Sequence, residues 1–581
     1  MAMQPRNVLY VLFDDLRADY GFGSDASSSG HTPNLDKLSQ TGVKFELAFS
    51  QVAFCVPSRT SFLTGLRPET TTSVHNDQVK RFRDNRLAPL RPGTTVLDAF
   101  KRAGYTTAAV GKIFHFGEAH PSLDLPVLTN THDLLGRPCD RPDATDVRVP
   151  KAVARYGFPR ACQLPFGSFV DQRVAAGAVG YLRRLASSRA SSSPLQALRR
   201  KAASRPFLLL VGFMRPHNPY QFPSQHLDLL PAANATDVAT VRRRHESQPA
   251  LAYSDDTDCS LRKCSREQRR FYRAAVSHAD EMFGLVLQEL QRLQLASTTL
   301  VVVHSDHGFS LGENGAWQKR SNFDHATRVP LLIRDPTLPS AAGLRVSDSL
   351  VELVDVLPTM LDLSGANMVV APPRELEGRS LRPLLSHPAN GARSPSQFQY
   401  AFMLQPRLLY ILRNASARGR DRTLLVDGGA SVADLMPDVG GFQRPLRPRD
   451  CSEELVAGGF GPGRACKFVA MGFSVRSRRW RYTRWERWPI GDDTTRVWTA
   501  GEGALLAEEL YCYASCHNLS VQVRGTSANA EQVNLAASWS ARRLTASQSS
   551  LVRSVKETLT GALLSRGSKA RKGLSETLDR S

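Results

Sequence analysis

Buried strand-like runs alternate with helix-like segments through roughly the first 400 residues, and this alternation constrains the fold more than any other feature of the chain. The continuously apolar, β-branched runs that we predict as buried strands are Asn7–Phe13, Thr106–Val110, Phe207–Phe213 and Thr299–His304. The segments with helical patterns are Pro33–Thr41, Ser58–Gly65, Thr95–Ala103, Phe169–Leu185, Glu267–Leu293 and Val354–Ser364. Strands that alternate with helices predict an α/β fold, with a mostly parallel sheet and helices on both of its faces.

Polar residues follow all of the predicted strands. They are Asp14 and Asp15, Lys112 and His115, Arg215 and His217, and the run from His304 to His307. Because ligands bind at the carboxyl ends of the strands in sheets of this kind, we expect these side chains to meet at one site.

The later part of the chain predicts a smaller second unit. Ser187–Arg205 is rich in Ser, Arg and Ala, which indicates a surface loop. After about Gly440 a Gly/Pro/Arg-rich link leads into short strands such as Phe473–Trp488, which predict a small antiparallel sheet. The weakly amphipathic stretch Leu551–Leu564 is either a docking helix or part of a disordered basic tail. We therefore expect three parts, at residues 1–440, 441–540 and 541–581.

The run from Phe54 to Gly65 holds the residues that most strongly indicate a chemical function. Pro57 fits the first turn of a helix, where its missing N–H costs nothing. Cys55 then lies at a helix N-terminus, where free N–H groups attract an anion, and Arg59 adds a permanent cation suited to tetrahedral oxyanions. A small buried cysteine without a function is the alternative.

Two carboxylate pairs at strand ends predict a metal site. Asp14 and Asp15 are adjacent and would repel each other unless a cation or hydrogen bonds held them. Asp306 and His307 close another strand, and Gly308 permits a tight turn after them. Such an oxygen-rich set suits Ca²⁺ or Mg²⁺ better than zinc, although His307 is an unusual ligand for a hard cation.

Cationic and titratable side chains follow two of the other predicted strands, and a third segment adds another cation. Lys112 and His115 follow one strand, His217 lies in a loop between two prolines, and Lys319 follows Trp317 and Gln318. Cations at this edge suit a sulfate monoester, and His115 or His217 has the pKa range to protonate a leaving alkoxide. Surface or core positions are the alternative for each of them.

The charge balance favours a polyanionic partner. The chain has 75 Lys and Arg against 54 Asp and Glu, a net charge of +21. Nucleic acid and sulfated polysaccharide both qualify, but no zinc-finger spacing, RRM signature or helix-turn-helix pattern favours nucleic acid. A solvated Arg-rich surface is the alternative. No apolar stretch reaches about 18 residues, so no membrane span is predicted, and Asn7–Phe13 is too short and too β-branched for a secretory signal.

The cysteines indicate an oxidising compartment. Apart from Cys55, they fall into four couples that are close in sequence, namely Cys139/Cys162, Cys259/Cys264, Cys451/Cys466 and Cys512/Cys516. Four disulfides are expected from this arrangement, since a zinc cluster would need Cys-x-x-Cys spacing and a nearby set of histidines. Asn234, Asn414 and Asn518 begin acceptor triplets for glycosylation.

The run Cys55–Arg59 resembles the Cys-x-Pro-Ser-Arg signature of the type I sulfatase family, in which the cysteine is oxidised to formylglycine. Stretches that match this family in order and spacing are Asn7–Arg17, Thr32–Asn34, Cys55–Pro68, Gly111–Gly117, Gly212–Pro223, His304–Pro330 and Met471–Trp485. Ser321–Asp324 and Met471–Arg476 are most similar to the iduronate-2-sulfatase subfamily. The resemblance covers roughly residues 7 to 540.

This resemblance implies a fold and a cofactor set. The fold is an alkaline-phosphatase-like three-layer sandwich with a mostly parallel central sheet, plus a smaller C-terminal α+β domain with a short antiparallel sheet. One Ca²⁺ per chain is implied, with Asp14, Asp15, Asp306, His307 and the formylglycine derived from Cys55 as its ligands. His307 stands where many of these enzymes carry Asn, and it either ligates the metal or bonds the nucleophile.

The resemblance also implies catalytic roles. The formylglycine hydrate attacks sulfur, while the metal and Arg59 lower its proton affinity and Lys112 and Lys319 hold the sulfate oxygens. His217 or Lys319 assists the departing sugar oxygen. His115 then takes the proton of the remaining hydroxyl as sulfate leaves.

The implied substrate is a sulfated oligosaccharide or polysaccharide, with a 2-O-sulfated uronate of a glycosaminoglycan-like chain expected. A formylglycine-generating enzyme is the implied maturation partner, and the secretory pathway, lysosomal or extracellular, is the expected location. Cys139–Cys162 and Cys451–Cys466 lie where the subfamily has disulfides. The alternatives are a phosphate or phosphonate monoester hydrolase on the same scaffold and a non-catalytic polyanion-binding protein.

Overall fold

The computed structural model describes most of the chain in segments separated by gaps. These segments are residues 6–20, 31–71, 73–74, 95–115, 122–124, 137–149, 159–190, 205–230, 247–253, 262–338, 343–366, 375–386, 398–412, 422–425, 465–489, 504–513, 534–536 and 545–578. The predicted glycosylation positions Asn234, Asn414 and Asn518 lie outside the described residues.

Strands and helices alternate along the first two thirds of the described chain, as the sequence predicts. The strands are β1 (Asn7–Asp14), β2 (Val43–Phe49), β3 (Thr106–Gly111), β4 (Thr145–Arg148), β5 (Arg160–Gln163), β6 (Phe207–Pro216), β7 (Gln221–Pro223), β8 (Thr299–Ser305), β9 (Ser310–Leu311), β10 (Trp317–Gln318), β11 (Arg328–Arg334), β12 (Leu344–Val346), β13 (Val351–Glu352), β14 (Ala401–Leu412), β15 (Arg422–Leu425), β16 (Ala465–Arg476), β17 (Trp480–Pro489) and β18 (Ala504–Cys512). The α-helices are α1 (Pro33–Ser39), α2 (Cys55–Thr64), α3 (Pro68–Thr71), α4 (Val96–Arg102), α5 (Val170–Ala190), α6 (Gln225–Asp228), α7 (Arg262–Arg292), α8 (Asp324–Thr327), α9 (Val356–Ser364), α10 (Arg382–Ser386) and α11 (Ala546–Leu578).

The central sheet has eight strands, with the order β12-β2-β11-β8-β1-β6-β3 and β13 paired to β2. The four strands predicted from apolar runs are confirmed, and they lie side by side as the parallel block β8-β1-β6-β3. Strand β11 is antiparallel to both of its neighbours, whereas the other pairs in this sheet are parallel. The predicted mostly parallel α/β sheet is therefore confirmed.

Side chains of β1 alternate between two separate apolar cores, as the pleat of a strand requires. Leu9, Val11 and Phe13 point into one core, which helices α1, α5 and α7 cover. The residues between them, such as Tyr10 and Leu12, point into a second core, which helices α2, α4 and α9 cover. Helices on both faces bury this strand completely, and the result is a three-layer arrangement.

A second, antiparallel sheet has the order β15-β14-β16-β17-β18. Its first strands, β14 and β15, precede residue 440, so the sheet begins earlier in the chain than the sequence indicates. The predicted strand region Phe473–Trp488 is in fact a hairpin of β16 and β17. Strand β14 pairs with β16 across a long stretch of sequence, and local patterns do not reveal such pairing. The division into three parts stays a prediction.

Helix α11 packs against the antiparallel sheet. Val552, Leu559 and Leu563 are buried in a cluster with residues of β16, β17 and β18. Lys556 Nζ adds an ion pair to Glu508 Oε2 at 2.6 Å. These contacts attach α11 to the sheet.

The disulfide between Cys139 and Cys162 is confirmed. Cys512 is also disulfide-bonded, while Cys516, Cys259 and Cys451 lie outside the described residues. The pairings of Cys259, Cys451 and Cys516 therefore stay predictions. Within the described segments, none of the helices is long and apolar enough to cross a membrane.

Candidate active site

The polar residues that follow the parallel strands do meet at one edge of the sheet. Asp14 ends β1, Asp306 follows β8, and Lys112 follows β3. The side chains of Asp14 and Lys112 form an ion pair, and Asp306 Oδ1 accepts a hydrogen bond from the backbone N–H of Asp15 at 3.1 Å. Asp15 adopts a left-handed backbone with φ of 67°. The expectation that strand ends build one site is met by this geometry.

Cys55 lies at the centre of the cluster because it is the first residue of α2. Its Sγ is 3.1 Å from Lys319 Nζ and 3.5 Å from His307 Nε2. Asp14 Oδ1 and Lys112 Nζ are each 3.9 Å from the same sulfur. Cys55 is buried with a free thiol. The prediction that this cysteine begins a helix is confirmed.

Two histidines complete the surroundings of Cys55. His115 and His217 both hydrogen-bond its side chain. His217 Nδ1 lies 2.5 Å from the carbonyl oxygen of Asn218, so this nitrogen carries the hydrogen and Nε2 faces the cluster. His217 keeps 20% of its side chain exposed, whereas Cys55 is 1% exposed. His217 therefore lies on the solvent side of the cluster.

Arg59 lies beneath the cluster and is fully committed to protein acceptors. Its Nε and Nη2 contact Asp306 Oδ2 at 3.1 and 3.0 Å, and Nη2 also contacts Asp14 Oδ1 at 3.1 Å. Its Nη1 donates to the carbonyl oxygens of Lys112 and Ile113 at 2.7 and 3.0 Å. Four hydrogen bonds and one further ion-pair contact hold the guanidinium against protein acceptors. Arg59 thus orients the carboxylates of Asp14 and Asp306.

The lysines, by contrast, reach the cysteine. Lys319 Nζ bridges Asp15 Oδ1, at 2.8 Å, and Cys55 Sγ. Burial opposes ionisation of the Cys55 thiol, but the positive charges of Lys112 and Lys319 outweigh it and hold the pKa of this thiol well below its usual value. Negative charge on the side chain at position 55 is therefore favoured by its surroundings.

Lys319 is held by a backbone in an uncommon conformation. Gln318 and Arg320, on either side of it, have φ of 62° and 68°. The N–H of Arg320 donates to the carbonyl oxygen of Ala53 at 2.9 Å, and Arg407 donates to the carbonyl oxygen of Arg320. Positive φ at two residues other than glycine costs free energy, which these contacts offset. Sequence reasoning missed Arg407, because no local pattern links β14 to this hairpin.

Four of the predicted metal ligands form a compact group. Ligand atoms of Asp14, Cys55, Asp306 and His307 all lie within 4.8 Å of one another. Asp15 lies at the edge of the group, with its Oδ1 3.4 Å from His307 Nε2. The structure thus brings all of the predicted ligands together.

His307 has the form that a cation would need. Its Nδ1 lies 2.9 Å from the carbonyl oxygen of Gly308, so Nδ1 carries the hydrogen and Nε2 points at the carboxylates. Burial lowers the pKa of His307, but the charge of Asp306 reverses the effect and raises it to about 9. Burial also raises the pKa of Asp306 to about 7. The field that attracts a proton to Nε2 equally favours a metal ion, so these residues fit a bound cation.

Gly308 is required by close packing. A Cβ at this position would lie 2.2 Å from the carbonyl oxygen of His325, and its φ is not in the left-handed region. The glycine lets the segment that carries Asp306 and His307 approach α8. The tight turn expected from the sequence stays a prediction.

Comparison with known proteins adds a family to this geometry. A family model described as Sulfatase matches residues 6–366. Iduronate 2-sulfatase of Mus musculus is 31% identical over 423 residues, which span 63% of this chain and 70% of that protein. Iduronate 2-sulfatase of Homo sapiens is 31% identical over 426 residues, with the same coverage.

Solved structures extend the comparison to the fold. The phosphonate monoester hydrolase of Agrobacterium radiobacter superposes with a TM-score of 0.61 at 19% identity, and the match covers 97% of this chain and 96% of that chain. At this identity the likeness concerns the fold alone. Together with the sheet order and the two helix layers, it confirms the predicted fold class.

Proposed function

The chain belongs to the sulfatase family and is a sulfuric ester hydrolase, and we propose that it removes sulfate from a sulfated uronate by means of a formylglycine made from Cys55. The observation that carries the proposal is the position of Cys55. Its sulfur is the point at which two lysines, two histidines and the carboxylate group converge. A cysteine without a function needs no such surroundings.

The sulfur of Cys55 stands in for the oxygen that formylglycine carries at this position. Formylglycine supplies an aldehyde hydrate, and one hydroxyl of this hydrate is the nucleophile toward sulfur. Lys319 and Lys112 lie on two sides of that position, at 3.1 and 3.9 Å from Sγ. Their charges stabilise negative charge on the nucleophile and on the oxygens of the sulfate that it attacks.

We propose that Asp14, Asp15, Asp306, His307 and the modified Cys55 hold one Ca²⁺. A cation of this kind, when bound, supplies charge that lowers the proton affinity of the nucleophile and offsets the sulfate oxygens. Arg59 fixes Asp14 and Asp306 in the orientation that such binding requires. Its own role is thus to position ligands.

Proton transfer falls to the two histidines. His217 is partly exposed and close to the nucleophile, so it suits donation of a proton to the departing sugar oxygen, with Lys319 as the alternative donor. His115 also hydrogen-bonds the side chain at position 55 and suits removal of the proton from the remaining hydroxyl. Sulfate then leaves and the aldehyde is restored.

The proposed substrate is a 2-O-sulfated uronate in a glycosaminoglycan-like chain. Two observations support it, the 31% identity to proteins named iduronate 2-sulfatase and the net charge of +21. The charge attracts any polyanion over long distances, whereas the identity concerns the site. Maturation by a formylglycine-generating enzyme and residence in the secretory pathway, lysosomal or extracellular, belong to the same proposal, and the disulfides at Cys139 and Cys512 support it.

Mass spectrometry of the peptide that contains Cys55 tests the nucleophile. The proposal expects loss of the thiol and gain of an aldehyde in protein from a host that carries the modifying enzyme. Cys55→Ala should then lower sulfate ester hydrolysis by on the order of a thousandfold or more while the protein stays folded. An unmodified thiol in fully active protein would overturn the formylglycine mechanism but not the sulfatase assignment.

Measuring the turnover of three substrates over a series of salt concentrations tests the proposed sugar specificity. We expect a 2-O-sulfated uronate disaccharide and a longer chain to exceed a neutral aryl sulfate in kcat/KM, with the advantage of the longer chain fading as salt shortens the Debye length to about 8 Å. Faster turnover of the neutral aryl sulfate would refute the substrate. A phosphonate monoester in the same assay tests the alternative function, hydrolysis of phosphate or phosphonate monoesters. An enzyme of that kind would turn over this ester faster than any sulfate ester.

A further inference from the structure

A second cluster of ligand-type side chains lies apart from Cys55 and shares no residue with its surroundings. His278 and Glu281 lie one turn apart on the long helix α7, so they project from the same face of it. His226 comes from the short helix α6, which packs against α7. The proposed sulfatase chemistry uses none of these residues.

Two of the three pairs of ligand atoms lie at the separations that a tetrahedral metal site requires. His226 Nε2 lies 3.3 Å from His278 Nδ1 and 3.2 Å from Glu281 Oε2. All three ligand atoms lie within 4.8 Å of one another. Ligand bonds of about 2.0–2.1 Å to a tetrahedral zinc ion place neighbouring ligand atoms roughly 3.3 Å apart. The two shorter separations therefore match a shared cation.

Hydrogen bonds alone satisfy this arrangement poorly. If His226 Nε2 carries a hydrogen, Glu281 and His278 compete for that one hydrogen. If His278 Nδ1 carries it instead, the Glu281 carboxylate faces a lone pair of His226. A divalent cation accepts lone pairs from all three atoms at once.

The remaining nitrogens of the two rings do not explain the arrangement either. His226 and His278 are 2% and 0% exposed. Within the described segments, His226 Nδ1 and His278 Nε2 are buried without a hydrogen-bond partner. The inward nitrogens, which face Glu281 and each other, therefore carry the polar contacts of both buried rings.

We propose that His226, His278 and Glu281 form a second cation site, for Zn²⁺ or a similar divalent transition ion. Two imidazoles and one carboxylate suit such an ion better than Ca²⁺, which prefers oxygen ligands. Glu281 keeps half of its side chain exposed, so a water molecule can reach the fourth position. A bound ion would join α6 to α7 and so anchor the segment that follows His217.

Metal binding to the full chain tests the proposal. Cys55→Ala protein, stripped with a chelator and kept in excess Ca²⁺ so that the carboxylate cluster is occupied, is titrated with Co²⁺ and, separately, with Zn²⁺. We expect a tetrahedral Co²⁺ absorption band, a single Zn²⁺ per chain by elemental analysis, and a rise in Tm with Zn²⁺. These readouts do not depend on activity.

Glu281→Gln is the informative variant, because a half-exposed residue can be changed without opening the core. We expect it to weaken Co²⁺ and Zn²⁺ binding by at least about tenfold. Glu289→Gln on the same helix is the matched control, since Glu289 pairs with Arg183 and Arg292 instead, and it should bind as the parent does. Equal binding by parent and Glu281→Gln, absence of binding by the parent, or equal loss in Glu289→Gln would each overturn the proposal.

Discussion

The edge of the central sheet and the antiparallel sheet both bury arginines, but Arg407 and Arg481 of the antiparallel sheet have partners of a different kind from those of the cations around Cys55. Around Cys55, each cation meets a carboxylate, as Lys319 does with Asp15 and Arg59 does with Asp14. In the second region Arg481 lies over the rings of Phe323 and Tyr511, at 5.1 and 4.9 Å from their centroids. Arg407 similarly lies over Trp485 and donates to backbone carbonyls.

This difference distinguishes a reactive site from a region that supports the fold. Ion pairs buried around one atom contribute little to stability, because the cost of desolvating the charges offsets their attraction. They do shift the pKa values of the paired groups. Arginines over rings and carbonyls instead hold surfaces together without creating reactive groups. We therefore expect changes at the sheet edge to cost activity and changes in the antiparallel region to cost stability.

Among the changes that test this comparison, the largest effect is expected from Lys319→Met. The variant removes the cation that bridges Asp15 and Cys55, so kcat/KM for a sulfate ester should fall by about a hundredfold to a thousandfold. Steady-state kinetics measure this below the Tm of the variant, with circular dichroism to show that it is folded. Lys44→Met is the matched control, because Lys44 is equally buried and paired with Glu46 at 3.4 Å but lies outside the cluster. Activity of Lys319→Met within threefold of the parent would contradict the proposed role.

The chain order of apolar runs made the active-site edge predictable. Asp14 ends β1 and Asp306 follows β8, and a parallel sheet places the carboxyl ends of its strands along one edge. The strand order itself was not predictable, since β11 is inserted antiparallel between β2 and β8. Local sequence carries no information on which strands become neighbours.

Long-range contacts account for the parts that sequence reasoning missed. The resemblance of the chain to the sulfatase family implies that Lys319 lies at the site. The hydrogen bond that Arg407 donates beside Lys319 was not predictable, because Arg407 lies on β14, far along the chain. His226, His278 and Glu281 gave no signal, because a His-x-x-Glu spacing is ordinary on a helix and His226 is remote in sequence. For Arg59, only the structure reveals that its guanidinium is held by Asp14, Asp306 and two backbone carbonyls.

The second-largest effect is expected from Leu559→Ala, which changes the antiparallel region alone. Leu559 is 3% exposed in the cluster between α11 and the sheet, so its truncation should weaken the docking of α11 by about 2–3 kcal/mol. Hydrogen exchange of the α11 amides measures this local opening. Leu564→Ala, at a residue 40% exposed on the same helix, should change it by less than about 0.5 kcal/mol. A large loss of kcat at a temperature where Leu559→Ala is folded would contradict the expectation that changes in the antiparallel region cost stability but not activity.

The smallest effect is expected where the two regions meet, at Arg407. Its guanidinium donates to the carbonyl oxygens of Arg320 and Leu251 and lies over Trp485. Arg407→Lys cannot make these contacts together, because an ammonium has no planar fork. The backbone next to Lys319 should shift slightly, so we expect kcat to fall about tenfold with little change in KM. Arg334→Lys is the control, since Arg334 also donates to a carbonyl oxygen, that of Ala296, but far from Cys55.

A double-mutant cycle decides whether Arg407 acts through Lys319. If it does, Arg407→Lys should cost about tenfold in kcat in the parent but almost nothing in the Lys319→Met background, because the group that it positions is already gone. Equal losses in both backgrounds would show that Arg407 acts on the fold in general. In that case the antiparallel sheet would support the active site only by its stability, and the strained hairpin around Lys319 would have to be held by Ala53 and the hairpin itself.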